Sequence, residues 1–286
     1  MFSRSRAKQR EREDRINSLP PEYHAALTPR DHEIVSHDVA SLVAKVQKGD
    51  LDPEDVLLAY SKKALDAHRR TNCLTEVMIS EAQTLAKECN RAGPLAGMPV
   101  SLKDTVGVAG FASCMGYSSS SRLVPFQKDA GIVRLLRDAG AYPFVKTNVP
   151  TTLLSFESVS DVWGRTTNPY SAKHSPGGST GGEAALLAFG GSRLGIGTDV
   201  AGSVRIPAHY SGIYTIKAST HRFPKSGNTT STVGQEGVSS VYSPMARTLQ
   251  DLETFWRAVV GMKPWDYDHS VCRRSSDNWA GFTAIL

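Results

Sequence analysis

The stretch "SPGGSTGGEAALLAFGGSRLGIGTDVAGSVRIP", Ser175 to Pro207, decides how this chain folds. Its first part is a glycine-rich turn opening onto an apolar helix. Thr180 and Glu183 stand at the spacing of a capping box, in which each side chain satisfies a backbone N–H near the other. Gly190-Gly191 then ends the helix, and "SRLGIGTD" reads as a short buried strand. Val200-Ala201-Gly202-Ser203 follows as a tight turn of small residues.

The same alternation continues on both sides. "DVASLVAKVQKG" puts Val39, Leu42, Val43 and Val46 at i, i+3, i+4 and i+7, and Gly49 stops it. Asp52 with Pro53 predicts a helix start, running to about Arg70. A third helix is predicted over roughly Ser80 to Arg91, completing an N-terminal helical layer. "MPVSLKD" reads as a strand ending on Lys103-Asp104, "KDAGIVRLLRDAG" as an amphipathic helix closed by Gly140, and "AYPFVKTNVP" as a second strand. "GIYTIKAS" predicts another strand, and "ARTLQDLETFWRAVVG" a helix capped by Thr248. Strands separated by helices imply an α/β fold, with a mainly parallel or mixed sheet covered by helices.

Composition bounds the function. A chain of 286 residues, 40 % hydrophobic, can bury a sizeable core. The net charge of +5 is concentrated at the start, where residues 1–18 hold six basic and three acidic residues. Interspersed acids argue against a nucleic-acid arm or a presequence, so the stretch reads as a solvated, frayed helix and nucleic acid is not an expected partner. Cys73, Cys89, Cys114 and Cys272 are scattered, and the histidines form no ligand pair, so neither a disulfide framework nor a metal is expected. No apolar run approaches the roughly 18 residues of a membrane helix. A cytoplasmic protein without an integral membrane segment is the expectation.

Two serines compete for a chemical role. Gly177-Gly178-Ser179-Thr180-Gly181 satisfies G-x-S-x-G, the nucleophile elbow of α/β-hydrolases. An elbow needs a strand running into it, whereas "NPYSAKHSPGG" has two prolines, a charge and no apolar run. Ser203 instead follows a strand, and its small-residue turn admits two readings: successive N–H groups that converge on an anion, or Ala and Gly that do no more than permit the turn. Lys103 at the end of an apolar strand admits two readings: a buried neutral base, or a lysine snorkelling to water.

"GPLAGMPVSLKD", "KTNVP", "SPGGSTGGEAAL", "GIGTDVAGSVRIPA" and "SPMARTLQDL" occur in this order, and with them the chain resembles the amidase signature family of serine hydrolases, from about Asn72 to Val271. "SGIYTIKAS", "HRFP" and "KPWDYDHSV" look most like its fungal acetamidase and general amidase branch. The resemblance implies an amidase with no cofactor, acting on a small-molecule amide; a homodimer is the assembly considered. Ser203 then matches the acyl-enzyme nucleophile, Lys103 the general base, and Ser179 the bridging serine, preceded in that family by a cis peptide bond, here Gly178–Ser179. Val200, Ala201, Gly202 and Ser203 match the N–H groups of the oxyanion hole, and Leu153 a position whose backbone contacts substrate. Asp199 and Arg205 match supporting residues. Ala201 stands where glycine is common, which is harmless only at negative φ.

The domain reading is a basic extension over 1–30, an amidase signature domain over 31–271, and a tail, 272–286, unlike the family. After "KPWDYDHSV" the resemblance implies further strands and helices, so the C-terminal part of the sheet is expected to be missing, with apolar surface and sheet edge left uncovered. The alternatives to a simple acylamide amidase are a fatty acyl amidase, a catalytically dead truncated homologue and an amidotransferase-type subunit.

Overall fold

Helix-forming sequence with proline and polar caps dominates the first quarter of the chain. The computed structural model describes residues 2–119, 124–232, 234, 235 and 237–273. It opens with α1 (Phe2–Asn17), α2 (Pro21–His24), α3 (Pro29–Ser36), α4 (Val39–Lys48) and α5 (Pro53–Thr71). In α4 Gly49 closes the helix at φ +81°, as the pattern predicts, and the Asp38 side chain caps its start by accepting from Ser41 N. Pro53 is the first residue of α5. A capping box does occur in this layer, at Thr28 and Asp31 of α3.

The strands and their helices follow: β1 (Leu74–Val77), α6 (Ile79–Lys87), β2 (Pro99–Lys103), α7 (Gly131–Asp138), β3 (Tyr142–Thr147), the small hairpin β4 (Val159–Ser160) and β5 (Gly164–Arg165), α8 (Gly181–Phe189), β6 (Leu194–Asp199), α9 (Arg205–Ser211), β7 (Tyr214–Thr215), β8 (Val241–Ala246) and α10 (Leu249–Gly261). Six strands form one sheet in the order β1-β3-β2-β6-β8-β7. Its centre, β3-β2-β6, is parallel, and the outer pairings are antiparallel. The central strands are buried on both faces, as expected of strands covered by helices. The mixed α/β sheet expected from the alternation is therefore present.

Besides the β4–β5 hairpin, two strands of the six-stranded sheet escape the pattern. β1, "LTEV", carries Thr75 and Glu76 and lacks an apolar run. β8, "VYSPMA", contains Pro244, which argues against a strand bordered on both sides, yet it lies between β6 and β7. Of "GIYTIKAS" only Tyr214–Thr215 is strand. It forms one edge of the sheet, where Tyr210, Tyr214, Ile216 and Leu249 are each 44 to 50 % exposed.

The solvated, frayed helix expected at the start is instead docked. Lys8 and Arg12 are buried, Lys8 Nζ lies 2.8 Å from Glu76 Oε1, and Arg12 Nη1 donates to Leu74 O at 2.8 Å. Arg15 Nη1 donates to Val77 O and reaches Glu81, while the Arg12 guanidinium lies over the Trp163 ring. The physical reason is the sheet edge: β1 is an outermost strand, and cationic side chains on α1 serve its carbonyls and its buried carboxylate. The tail lies outside the described residues from 274 on.

Candidate active site

The parallel centre of the sheet brings the carboxyl ends of β2 and β6 side by side, the usual place for a ligand in such sheets. Lys103 is the last residue of β2 and is fully buried. Its Nζ lies within 2.8 Å of Ser179 Oγ, 2.9 Å of Thr180 Oγ1 and 2.8 Å of Thr198 Oγ1. Burial pushes its pKa down to about 7, against the opposing pull of the Asp199, Asp104 and Glu183 carboxylates. Of the two readings of Lys103, the snorkelling one does not hold: the amine points inward, among hydroxyls.

The capping box expected at Thr180 and Glu183 does not form. The Thr180 hydroxyl is taken by Lys103, and the Glu183 carboxylate turns under the sheet to accept from Thr147 Oγ1 at 2.7 Å and from Ser101 Oγ. Those two hydroxyls lie on β3 and β2, so Glu183 fastens α8 to both strands. Local spacing suggested a cap, and tertiary partners outbid the local N–H groups.

Ser179 follows a cis Gly178–Ser179 peptide bond. The two serine turns are joined directly, since Thr180 N donates to Ser203 O at 3.1 Å. Gly177, at φ +84°, permits the approach: a Cβ there would lie 2.8 Å from Pro207 Cα. The second turn is wound around Asp199. Its carboxylate accepts from Gly202 N (2.9 Å), Val204 N (3.1 Å), and Arg205 Nε and Nη2 (3.1 and 3.0 Å). Burial opposes ionisation of Asp199, but the Arg205 and backbone N–H bonds prevail and hold it below the usual carboxylate range.

This geometry modifies one expectation. The Gly202 N–H, expected among the anion-binding donors, is spent on Asp199. Among the described residues the N–H groups of Val200, Ala201 and Ser203 have no such acceptor. Ala201 is not among the positive-φ residues, so alanine is tolerated there without left-handed strain.

Ser179, Thr198, Val200, Ala201 and Ser203 line one cavity of about 390 Å³. Its other walls are Thr152–Phe156 and a hydroxyl-rich segment, Asn228–Thr232. Leu153, expected near substrate, is on this wall, and both it and Thr152 hold left-handed backbone, φ +63° and +73°. Such conformations persist where neighbours impose them. Here Leu153 N donates to Pro150 O, and Thr152 O accepts from Ser231 Oγ at 3.0 Å. Sequence reasoning missed Thr198 and the 228–232 segment. A threonine inside an apolar strand was the only signal for the first, and the second had none. Among the described residues no cluster of His, Cys, Asp or Glu could hold a metal ion, and no helix is long and apolar enough to cross a membrane.

In sequence and in fold the chain is similar to known amidases. Residues 55–283 match the family model described as Amidase. An amidase of Gibberella moniliformis is 42 % identical over 252 residues, covering 85 % of this chain and 48 % of its own. An acetamidase of Aspergillus oryzae is 40 % identical over 261 residues, covering 88 % and 47 %. Among solved structures, a fatty acid amide hydrolase superposes with a TM-score of 0.88 at 30 % identity, over 95 % of this chain and 53 % of that one. The chain thus spans about half the length of the relatives it matches.

Proposed function

The chain belongs to the amidase family, and from that premise we propose that it hydrolyses carboxylic acid amides through an acyl-enzyme on Ser203. The products are the acid and ammonia or a small amine, and the acetamidase relative supports simple acylamides as substrates. The observation that carries the reading is Lys103: a buried lysine, pushed toward neutrality, 2.8 Å from a serine that shares a cavity with Ser203.

Neutral Lys103 accepts the Ser179 hydroxyl proton while Ser179 Oγ takes the proton of Ser203, whose oxygen attacks the carbonyl carbon. The C=O π pair moves to oxygen, and the N–H groups of Val200, Ala201 and Ser203 receive the oxyanion. The Lys103 ammonium returns a proton through Ser179 to the amide nitrogen, the C–N bond breaks, and the amine leaves. Water then repeats the sequence on the acyl-Ser203 ester, releasing the acid and restoring Ser203. Leu153 contributes backbone contact with the substrate, and Asp199 with Arg205 holds the Ser203 turn in shape. Relay catalysis of this kind is worth about 10²–10⁴-fold.

A fluorophosphonate probe and ammonia release from acetamide test the proposal together. The parent protein is expected to be labelled and to release ammonia, and Ser203→Ala to do neither. Undiminished labelling of Ser203→Ala would sink the assignment.

A further inference from the structure

The mechanism leaves one buried carboxylate beside the reacting groups without a chemical task. Glu183 lies in the first turn of α8, the helix that starts directly after Ser179 and Thr180, and it is fully buried. Its carboxylate accepts from Ser101 Oγ and, at 2.7 Å, from Thr147 Oγ1. Both donors flank Lys103. Ser101 stands two residues before it on β2, so strand alternation puts the two side chains on one face. Thr147 is the register partner of Lys103 on β3. The sheet makes room for the carboxylate: Gly195 of β6 is the register partner of Ser101, and a Cβ there would collide with Glu183 Oε1.

A clamp between a helix and two strands does not by itself need a charge, and an ionised carboxylate held only by hydroxyls is costly to bury. Three acids act on Lys103: Asp199, Asp104 and Glu183. Asp199 is committed to Arg205 and to the Gly202 and Val204 N–H groups. Asp104 accepts from Thr75 Oγ1 and Met115 N, and the cation beside it is Lys146. For Glu183 the cation is Lys103 itself. Cys73, the other titratable group acting near Glu183, is kept as the thiol by its burial. When Lys103 takes up the proton that leaves Ser203 through Ser179, an ammonium forms inside the protein, away from water. A negative charge nearby stabilises that ammonium and the transition state leading to it.

We propose that Glu183 is a positioning residue that acts through Lys103, fixing the strand end that carries the amine and supplying the counter-charge for its ammonium. The proposal rests on the amide-hydrolase reading above and adds to it a residue that does not line the cavity.

The test is the pH profile of kcat/KM for acetamide in the parent, Glu183→Gln and Thr147→Val. Glu183→Gln keeps the shape of the side chain and removes its charge. Its midpoint is expected about one pH unit below the parent's, because the ammonium has lost its counter-charge. Its plateau should fall roughly tenfold, because the amine has become a weaker base. Thr147→Val removes one donor to the carboxylate, which then ionises less readily, and a smaller shift in the same direction is expected. An unchanged midpoint in Glu183→Gln with an equal loss at every pH marks a structural clamp alone and overturns the proposal, as does a shift to higher pH. If Glu183→Gln does not fold, an unchanged midpoint in Thr147→Val overturns it instead. In each of these cases an active, fluorophosphonate-labelled parent leaves the hydrolase reading intact. A parent protein that is neither labelled nor active overturns both.

Discussion

Lys103 shows what a single residue gains from its surroundings. An ammonium has three donors and no lone pair, whereas a neutral amine has two donors and one acceptor site. Three hydroxyls within 2.9 Å suit the neutral form, because one of them can donate to the nitrogen while two accept from it. The sign of the pH dependence follows. A pKa lowered to about 7 leaves Lys103 protonated and unable to accept below that pH, and free to accept above it. kcat/KM is therefore expected to rise with pH through a midpoint near 7 and to level off. Lys103→Ala should lose about 10²–10⁴-fold and the midpoint with it. A rate profile over pH 5–9 with the same midpoint in the variant would refute the base role. At this scale the sequence was partly legible. Lys103 stood out as a charge ending an apolar strand. Thr180 looks like a cap from sequence because its true partner, Lys103, lies 77 positions away and leaves no local trace.

At the scale of elements, Glu183 joins α8 to β2 and β3 through Ser101 and Thr147. Burial raises its pKa to about 7, although both hydroxyl donors and Lys103 act the other way. The folded pKa thus exceeds the unfolded one, so the folded state binds the extra proton between roughly pH 4.5 and 7. Stability from this group is complete below that window and is lost as pH rises through it. Glu183→Gln, which mimics the protonated acid, should match the parent near pH 4.5 and become progressively the more stable of the two toward pH 8. Thermal melts of both proteins across that range check this; a difference in Tm that does not grow with pH would contradict it. Elements whose apolar residues repeat with a clear helical or buried-strand period were legible, as for α4, α5, β2, β3 and β6. β1 and β8 were not, because a polar "LTEV" and a proline-bearing "VYSPMA" become strands only through the neighbours that pair with them.

For the molecule as a whole, the decisive contact is between α1 and the far edge of the sheet. Glu76 is buried on β1, and Lys8 supplies its counter-charge at 2.8 Å. Removing one partner of a buried pair strands the other, so Lys8→Ala is expected to cost on the order of 3 kcal/mol at pH 7 in urea unfolding. Burial already raises the Glu76 pKa against the pull of Lys8, so the carboxyl takes up a proton readily without it. The cost should therefore shrink toward pH 5, and a cost that stays constant would show that Lys8 acts by packing alone. A basic, acid-interspersed stretch looks like solvent-exposed helix from composition because its burial depends on a carboxylate and carbonyls more than 60 positions away. Residue order alone establishes local features: helix and strand periods, their alternation, and a set of ordered motifs carrying Lys103, Ser179 and Ser203. Tertiary structure alone decided which hydroxyls surround Lys103, that Asp199 claims the Gly202 N–H, that Glu183 grips the strands flanking Lys103, and that α1 closes the β1 edge. Periodicity reports which face of a segment avoids water, whereas the partner of a buried polar group is chosen by the packing of distant segments.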